Sequence, residues 1–202
     1  GMEMLLSTNP IAVGVPGADG QPVVLDMATT VAAYGKVKAK AKRGEMMPEG
    51  WMIDRQGQPL LDPKRAEEGF LLPIGGHKGY GLALIVGLLA GTLNGAAMGK
   101  DVVDFNHDDV TPTNTGQSIL VIDLNAFGDP TFFKAAVAKL VNDIHNSQRL
   151  PGVDKIWLPG EQSEQRRNAY AVSGIPIPDN LVNELNTLAL ELGIKPLTIA
   201  QT

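Results

Sequence analysis

No cysteine occurs among the 202 residues, which removes disulfides, thiolate metal sites and a cysteine nucleophile at once and fits a reducing compartment. Positive charge is also scarce. Seventeen Lys and Arg against 22 Asp and Glu leave a net charge of −5, the wrong balance for a nucleic-acid binder. No apolar run is long enough to span a bilayer, because the longest, from Tyr80 to Leu93, is short and broken by glycine. Signal-peptide architecture is missing from Gly1-Met2-Glu3-Met4, and Gly1 reads as a tag-removal scar that puts the native start at Met2. The histidines, His77, His107 and His145, share no ligand spacing, so a metal site is not expected. A cytoplasmic, soluble chain with no membrane or nucleic-acid partner is the expectation that remains.

What is present is a globular composition. Hydrophobic residues make up 44% and charged residues 19%, and 23 glycines with 14 prolines follow no period, so neither disorder nor a collagen repeat applies. The elements read as mixed α and β. Ile11 to Val15 and the run Val23-Val24-Leu25, ending at Asp26, are strands joined as a hairpin through Gly17-Ala18-Asp19-Gly20. A helix is predicted from Thr29 or Thr30 to about Lys42, its last turn rich in Lys38, Lys40, Lys42 and Arg43 before Gly44, as the negative end of a helix dipole prefers. Residues 45–73, punctuated by proline and glycine, read as a long excursion without regular structure, of the kind that is functional or partner-binding. An apolar helix follows from about Tyr80 to Leu93. Ser118 to Asp123 reads as a central strand, and Asp129-Pro130 as the cap of a helix burying Phe133, Val137, Leu140, Val141 and Ile144. Ile156-Trp157-Leu158 is short and extended. Helices from Glu161 to Ala169 and Asp179 to Leu192 complete the chain.

The chemistry-bearing segments admit two readings each. The Rossmann fingerprint G-x-G-x-x-G is missing from the first strand–helix junction, and Gly75-Gly76-His77-Lys78-Gly79 is no P-loop, since no Ser or Thr follows its lysine. The segment still has the physics of an anion site: exposed backbone N–H groups, a helix N-terminus and the charge of Lys78. The alternative is a plain glycine turn with a solvated lysine. His107-Asp108-Asp109 could hold a cation or be a polar loop, and His145 reads as a surface residue. Asp26, at the end of a strand, suits a ribose, whereas Asp26, Thr29 or Thr30 could equally cap the next helix. Glu161 after Pro159-Gly160 could serve a ligand or sit in a helix first turn.

In order along the chain stand Ser7-Thr8-Asn9-Pro10-Ile11-Ala12, Leu25-Asp26-Met27-Ala28-Thr29-Thr30 and Gly50-Trp51-Met52-Ile53-Asp54-Arg55-Gln56-Gly57. Leu72-Pro73-Ile74-Gly75-Gly76-His77-Lys78-Gly79 and Leu158-Pro159-Gly160-Glu161 follow. This series resembles the type-2 malate/L-lactate dehydrogenase family, whose members include ureidoglycolate, sulfolactate and diketogulonate oxidoreductases and cyclic imino-acid reductases. The resemblance runs from about Ser7 to Gly193. It implies a mixed α/β, non-Rossmann NAD(P)-binding fold with C-terminal helices, divided into a nucleotide-binding portion over 7–125 and a helical portion over 126–202. It also implies a homodimer that uses NAD or NADP to move a hydride to or from a small 2-hydroxy or 2-oxo acid. By motif, Leu25, Asp26, Met27, Ala28, Thr29, Thr30, Val31, His77, Lys78, Pro159, Gly160 and Glu161 would contact the nucleotide, and Asn114, in Thr113-Asn114-Thr115-Gly116, falls at a site position.

The catalytic histidine of the family belongs to a segment before the Thr-Asn-Pro motif, where this sequence has only Gly1 to Ser7. A truncated form is therefore expected, with no acid–base residue assigned and Asp54 as a supporting residue. The alternative is a non-catalytic module that needs a separate N-terminal segment, with 45–73 as its interface.

Overall fold

A computed structural model describes residues 3–198, the side chain of Asp19 excepted. Gly1 and Met2, with the scar assigned to them, and residues 199–202 of the expected helical portion lie outside it. The chain forms two compact units, Gly1–Pro159 and Gly160–Thr202, a boundary well beyond the 125/126 division drawn from sequence.

The first unit opens with a hairpin. Strands β1 (Ile11–Val15) and β2 (Val23–Met27) pair antiparallel, Ile11 opposite Met27 and Val15 opposite Val23. The expected strands and their connection are both there. Helix α1 (Tyr34–Arg43) begins later than predicted, because the Val31 N–H is taken by the Leu72 carbonyl and the Thr30 hydroxyl donates to the Ala32 carbonyl, which keeps this stretch out of the helix. The helix ends as read: Lys40, Lys42 and Arg43 occupy its last turn, and Gly44 adopts a left-handed φ of 67°.

Residues 45–73 depart from expectation. They contain β3 (Met52–Asp54) and β4 (Gly69–Leu71), paired antiparallel, with a 3₁₀ turn over Pro63–Glu68 between them. The segment also supplies most of the first unit's core. Met47, Met52, Leu60 and Ala66 close around Val37 of α1, with Tyr34, Trp51 and Leu71 packed against the cluster. Gly69 is required there, since a Cβ would lie 2.3 Å from the Ile53 carbonyl oxygen.

Helix α2 (His77–Ala90) starts three residues before the predicted Tyr80. The expected strand at Ser118 to Asp123 does not form: strand propensity needs a neighbour, and no described strand pairs with it. Asp129 caps α3 (Pro130–His145) by accepting the Thr131 N–H, as predicted. Phe133, Val137, Val141 and Ile144 are half-buried, but Leu140 is exposed, and His145 is half-buried rather than a surface residue.

The second unit consists of α4 (Glu161–Ser173) and α5 (Asp179–Glu191), close to the predicted pair. Val182 and Ala189, two turns apart on α5, are its buried apolar residues. No helix among the described residues is long and apolar enough to cross a membrane.

The core assignment has a direct test. Met52, 2% exposed, should lose about 2–5 kcal/mol of unfolding free energy on replacement by alanine. Val13, 44% exposed, should lose no more than about 0.5 kcal/mol in the same urea titration. Equal losses would contradict a core built from 45–73.

Candidate functional site

The site is assembled by three chain segments meeting at Thr29. Its N–H and its hydroxyl both donate to the Thr8 carbonyl, at 2.8 and 2.9 Å, and its own carbonyl accepts the Ile74 N–H at 3.0 Å. The Val31 N–H donates to Leu72, and Thr30 bridges to Pro73 in antiparallel fashion. The strand exit after β2 is thus zipped to the residues that lead directly into Gly75-Gly76-His77-Lys78. The next residue after Thr8, Asn9, stands at φ 26° and sends its amide to the Ala83 carbonyl on α2 at 2.8 Å. Asparagine tolerates this left-handed conformation better than most residues. Gly87 leaves the space for it, because a Cβ there would sit 2.8 Å from the Asn9 amide nitrogen.

This joint fixes what faces solvent. Thr29 is fully buried, so it holds the segment from beneath and offers no surface to a ligand. Asp26, Val31, His77 and Lys78 are exposed, while Leu25, Met27, Ala28 and Thr30 are half-buried. The side chains of Asp26, His77 and Lys78 make no hydrogen bond or ion pair with any described residue. None of Asp26, Thr29 and Thr30 caps α1, whose N-cap is Ala33 with no side-chain bond, so the capping alternative is set aside. Helix α2 likewise opens without a side-chain cap, and Gly75 and Gly76 precede it at φ 58° and 62°, a left-handed path that favours glycine. The uncapped start of α2, the unengaged Lys78 and the amides of Gly75 and His77 therefore stand on one side of the joint, and the unengaged carboxylate of Asp26 on the strand that leads into it. Pro159 reaches the same hairpin, its carbonyl accepting the Val24 N–H at 3.4 Å. Gly160 and Glu161 begin α4 in the second unit, Gly160 at φ 90° and Glu161 in the first turn.

Two sequence candidates are engaged elsewhere. Asn114 accepts the Val103 N–H and donates to the Asp101 carbonyl, clamping its own loop. With Asn94 and Ala97 it lines a shallow cavity beyond the C-terminal end of α2, a helix about 21 Å long, so it is not brought to His77 and Lys78. Asp54 accepts the N–H groups of Gln56 and Gln58 and organises the turn after β3. Sequence reading missed Thr8 and Asn9 as the parts that hold the site together; both stood in the motif, but their partners lie far along the chain.

His107 is engaged by carboxylates, and no group of three or more metal-ligating side chains occurs among the described residues. Its Nδ1 lies 2.9 Å from Asp104 and its Nε2 3.5 Å from Glu67. The bond to Asp104, then that to Glu67, raises its pKa above 6.5, and backbone and side-chain bonds from Asn106 help hold Asp104 down at about 2. Since the folded pKa of His107 is the higher one, its stabilising contribution is complete below pH 6.5 and is lost as the pH rises through the folded value. An NMR titration should show the His107 midpoint falling in Asp104→Asn, and by less in Glu67→Gln. An unchanged midpoint in both would dissolve the pairing.

Comparisons with known proteins show the family. The family model for malate/L-lactate dehydrogenase matches residues 1–186. Malate dehydrogenase of Pyrococcus abyssi is 35% identical over 207 residues, covering 98% of this chain and 56% of that protein. Ureidoglycolate dehydrogenase (NAD(+)) of Escherichia coli K12 is 33% identical over 190 residues, covering 94% and 54%. The solved malate dehydrogenase of Pyrococcus horikoshii superposes with a TM-score of 0.83 at 31% identity, over 96% of this chain and 54% of that one. The chain thus spans about half the length of the relatives it matches. With its mixed helix-and-hairpin architecture and the residues matched, the chain belongs to the malate/L-lactate dehydrogenase family.

Proposed function

We propose that this chain carries the nicotinamide-nucleotide site of an oxidoreductase acting on a small 2-hydroxy or 2-oxo acid. The observation that supports it is the joint at Thr29, which ties the exit of β2 to the residues leading into the uncapped N-terminus of α2, with Asp26, His77 and Lys78 unengaged. The donor set suits the cofactor. A pyrophosphate needs backbone N–H groups and positive potential; the amides of Gly75 and His77, the start of α2 and the Lys78 ammonium would supply them. A ribose needs an acceptor for its hydroxyls, and the Asp26 carboxylate is one. Met27, Ala28 and Val31 line the same stretch with apolar surface. Pro159 supports β2 through Val24, while Gly160 and Glu161 stand in this reading on the family motif alone.

When bound, the nicotinamide supplies or accepts the hydride exchanged with the acid. The residues of this chain bind and orient it; none of them is assigned the proton donated to the carbonyl. NAD and NADP are both compatible with the exposed Asp26, and a cytoplasmic homodimer belongs to the same reading.

Titration with NADH and with NADPH, followed by nicotinamide fluorescence, tests the proposal. Binding of one of them is expected, weakened about tenfold or more in Lys78→Ala, as for loss of a charge-assisted bond to phosphate. Failure to bind either would favour a module without a cofactor role. Binding that Lys78→Ala leaves unchanged would remove the α2 N-terminus from the site.

A further inference from the structure

Asn94 is followed by Gly95, the one Asn-Gly pair in the chain, and every other asparagine precedes a residue that carries a side chain. The difference matters because an asparagine side chain is open to attack by the main-chain nitrogen of the next residue, one source of its thermal lability. A Cβ on that next residue obstructs the approach, and glycine moves freely through the backbone conformations that ring closure needs.

The same side chain has a structural task. Its amide nitrogen lies 2.9 Å from the Leu89 carbonyl and 3.1 Å from that of Ala90, the last two residues of α2, and so closes the C-terminal end of the helix. From there it reaches the Gln117 carbonyl at 3.3 Å and the Ser118 hydroxyl oxygen at 2.9 Å. The Ser118 hydroxyl donates in turn to Leu89 at 2.6 Å. Gly116 lies against the same helix end, where a Cβ would collide with the Ala90 carbonyl. A single amide group, its hydrogens shared among these acceptors, thus pins residues 116–118 to α2.

Every partner of that amide nitrogen is an acceptor. A carboxylate in its place has no hydrogen to give. It would also set a full charge against the carbonyl oxygens of Leu89, Ala90 and Gln117, at the negative end of the helix dipole.

We propose that Asn94-Gly95 is a site of spontaneous deamidation, and that conversion of Asn94 to aspartate or isoaspartate releases residues 116–118 from α2. The Gly95 nitrogen forms a bond to the Asn94 Cγ, and the Cγ–Nδ2 bond breaks. The departing amide takes the Gly95 proton and leaves as ammonia. Water then opens the five-membered imide at either carbonyl. Opening at Cγ restores the chain with aspartate at 94, and opening at the main-chain carbon leaves the chain running through the side chain. Nothing is oxidised or reduced: water enters and ammonia leaves.

The fold sets the pace. The Gly95 N–H donates to the Thr92 carbonyl at 3.1 Å and the Asn94 amide is held by its acceptors, so both reacting groups are engaged. Reaction waits for a local opening of the turn. The product cannot remake the bonds that closed it, so each event runs one way and the released form accumulates. The cofactor reading takes no part in this, and either can fail alone.

Ageing the whole chain in mildly alkaline buffer at physiological temperature, followed by peptide mass mapping, supplies the test. Asn94 should convert ahead of every other asparagine, to both products, and about tenfold faster or more in urea than in the folded chain. Hydrogen exchange reads the release through the Ala97 amide, which donates at 3.0 Å to Asn114 just before the pinned residues. In the aged chain and in Asn94→Asp it should exchange about tenfold faster or more, while the amides of β1 and β2 keep their protection. Asn94→Gln, which cannot close the five-membered imide, should exchange alike before and after ageing. Earlier conversion at another asparagine, or equal rates with and without urea, would overturn the proposal. So would unaltered exchange at Ala97 in Asn94→Asp, loss of protection throughout the first unit, or a change on ageing in Asn94→Gln.

Discussion

The pairing of Thr29 with Thr8 is the constraint on which the first unit turns. One carbonyl receives both donors of one buried residue, and the other side of that residue is tied to Ile74. Hydrogen bonds between groups withdrawn from water are costly to leave unmade. The chain therefore has little freedom between the end of β2 and the start of α2, and the direction of both follows. Everything placed at the candidate site, from Asp26 to Lys78, is oriented by backbone contacts rather than by side chains reaching toward one another. Binding through main-chain N–H groups needs this kind of rigidity.

Helix α2 shows how one sequence answers two demands. Gly79 and Gly87 bring its inner side against the Ile74 carbonyl and the Asn9 amide, where any Cβ would collide. Its first turn stays uncapped and accessible. Helix propensity alone would reject so many glycines, each costing up to about 1 kcal/mol against alanine. Close packing and an open N-terminus are the compensation.

Much of this was legible. The β1–β2 hairpin followed from apolar runs around a glycine turn, and α3 from Asp129-Pro130. Three features were not, each for a physical reason. Periodicity placed Thr30 to Ala33 in a helix, but the tertiary bond from the Val31 N–H to Leu72 keeps that stretch out of it. Residues 45–73 looked like a loop because proline and glycine interrupt them; their core residues Met47, Met52, Leu60 and Ala66 follow no period and become a cluster only around Val37. Residues 118–123 carry strand propensity without a described partner, and propensity does not make a sheet alone. At the site, the same limit applies: Thr8 and Asn9 act on residues 21 and 74 positions away, and no local pattern announces that.

Those separations also set an order of assembly. The hairpin closes a short loop, an event of about 1–10 μs. The Asn9–Ala83 bond closes one of 74 residues, and such closures come late because their entropy must be met before any contact is gained. The exit of β2 is therefore shaped early and waits for α2 to arrive. A fluctuation that releases α2 undoes the joint while leaving the hairpin formed, so the residues of the candidate site belong to the last part of the unit to set and the first to let go.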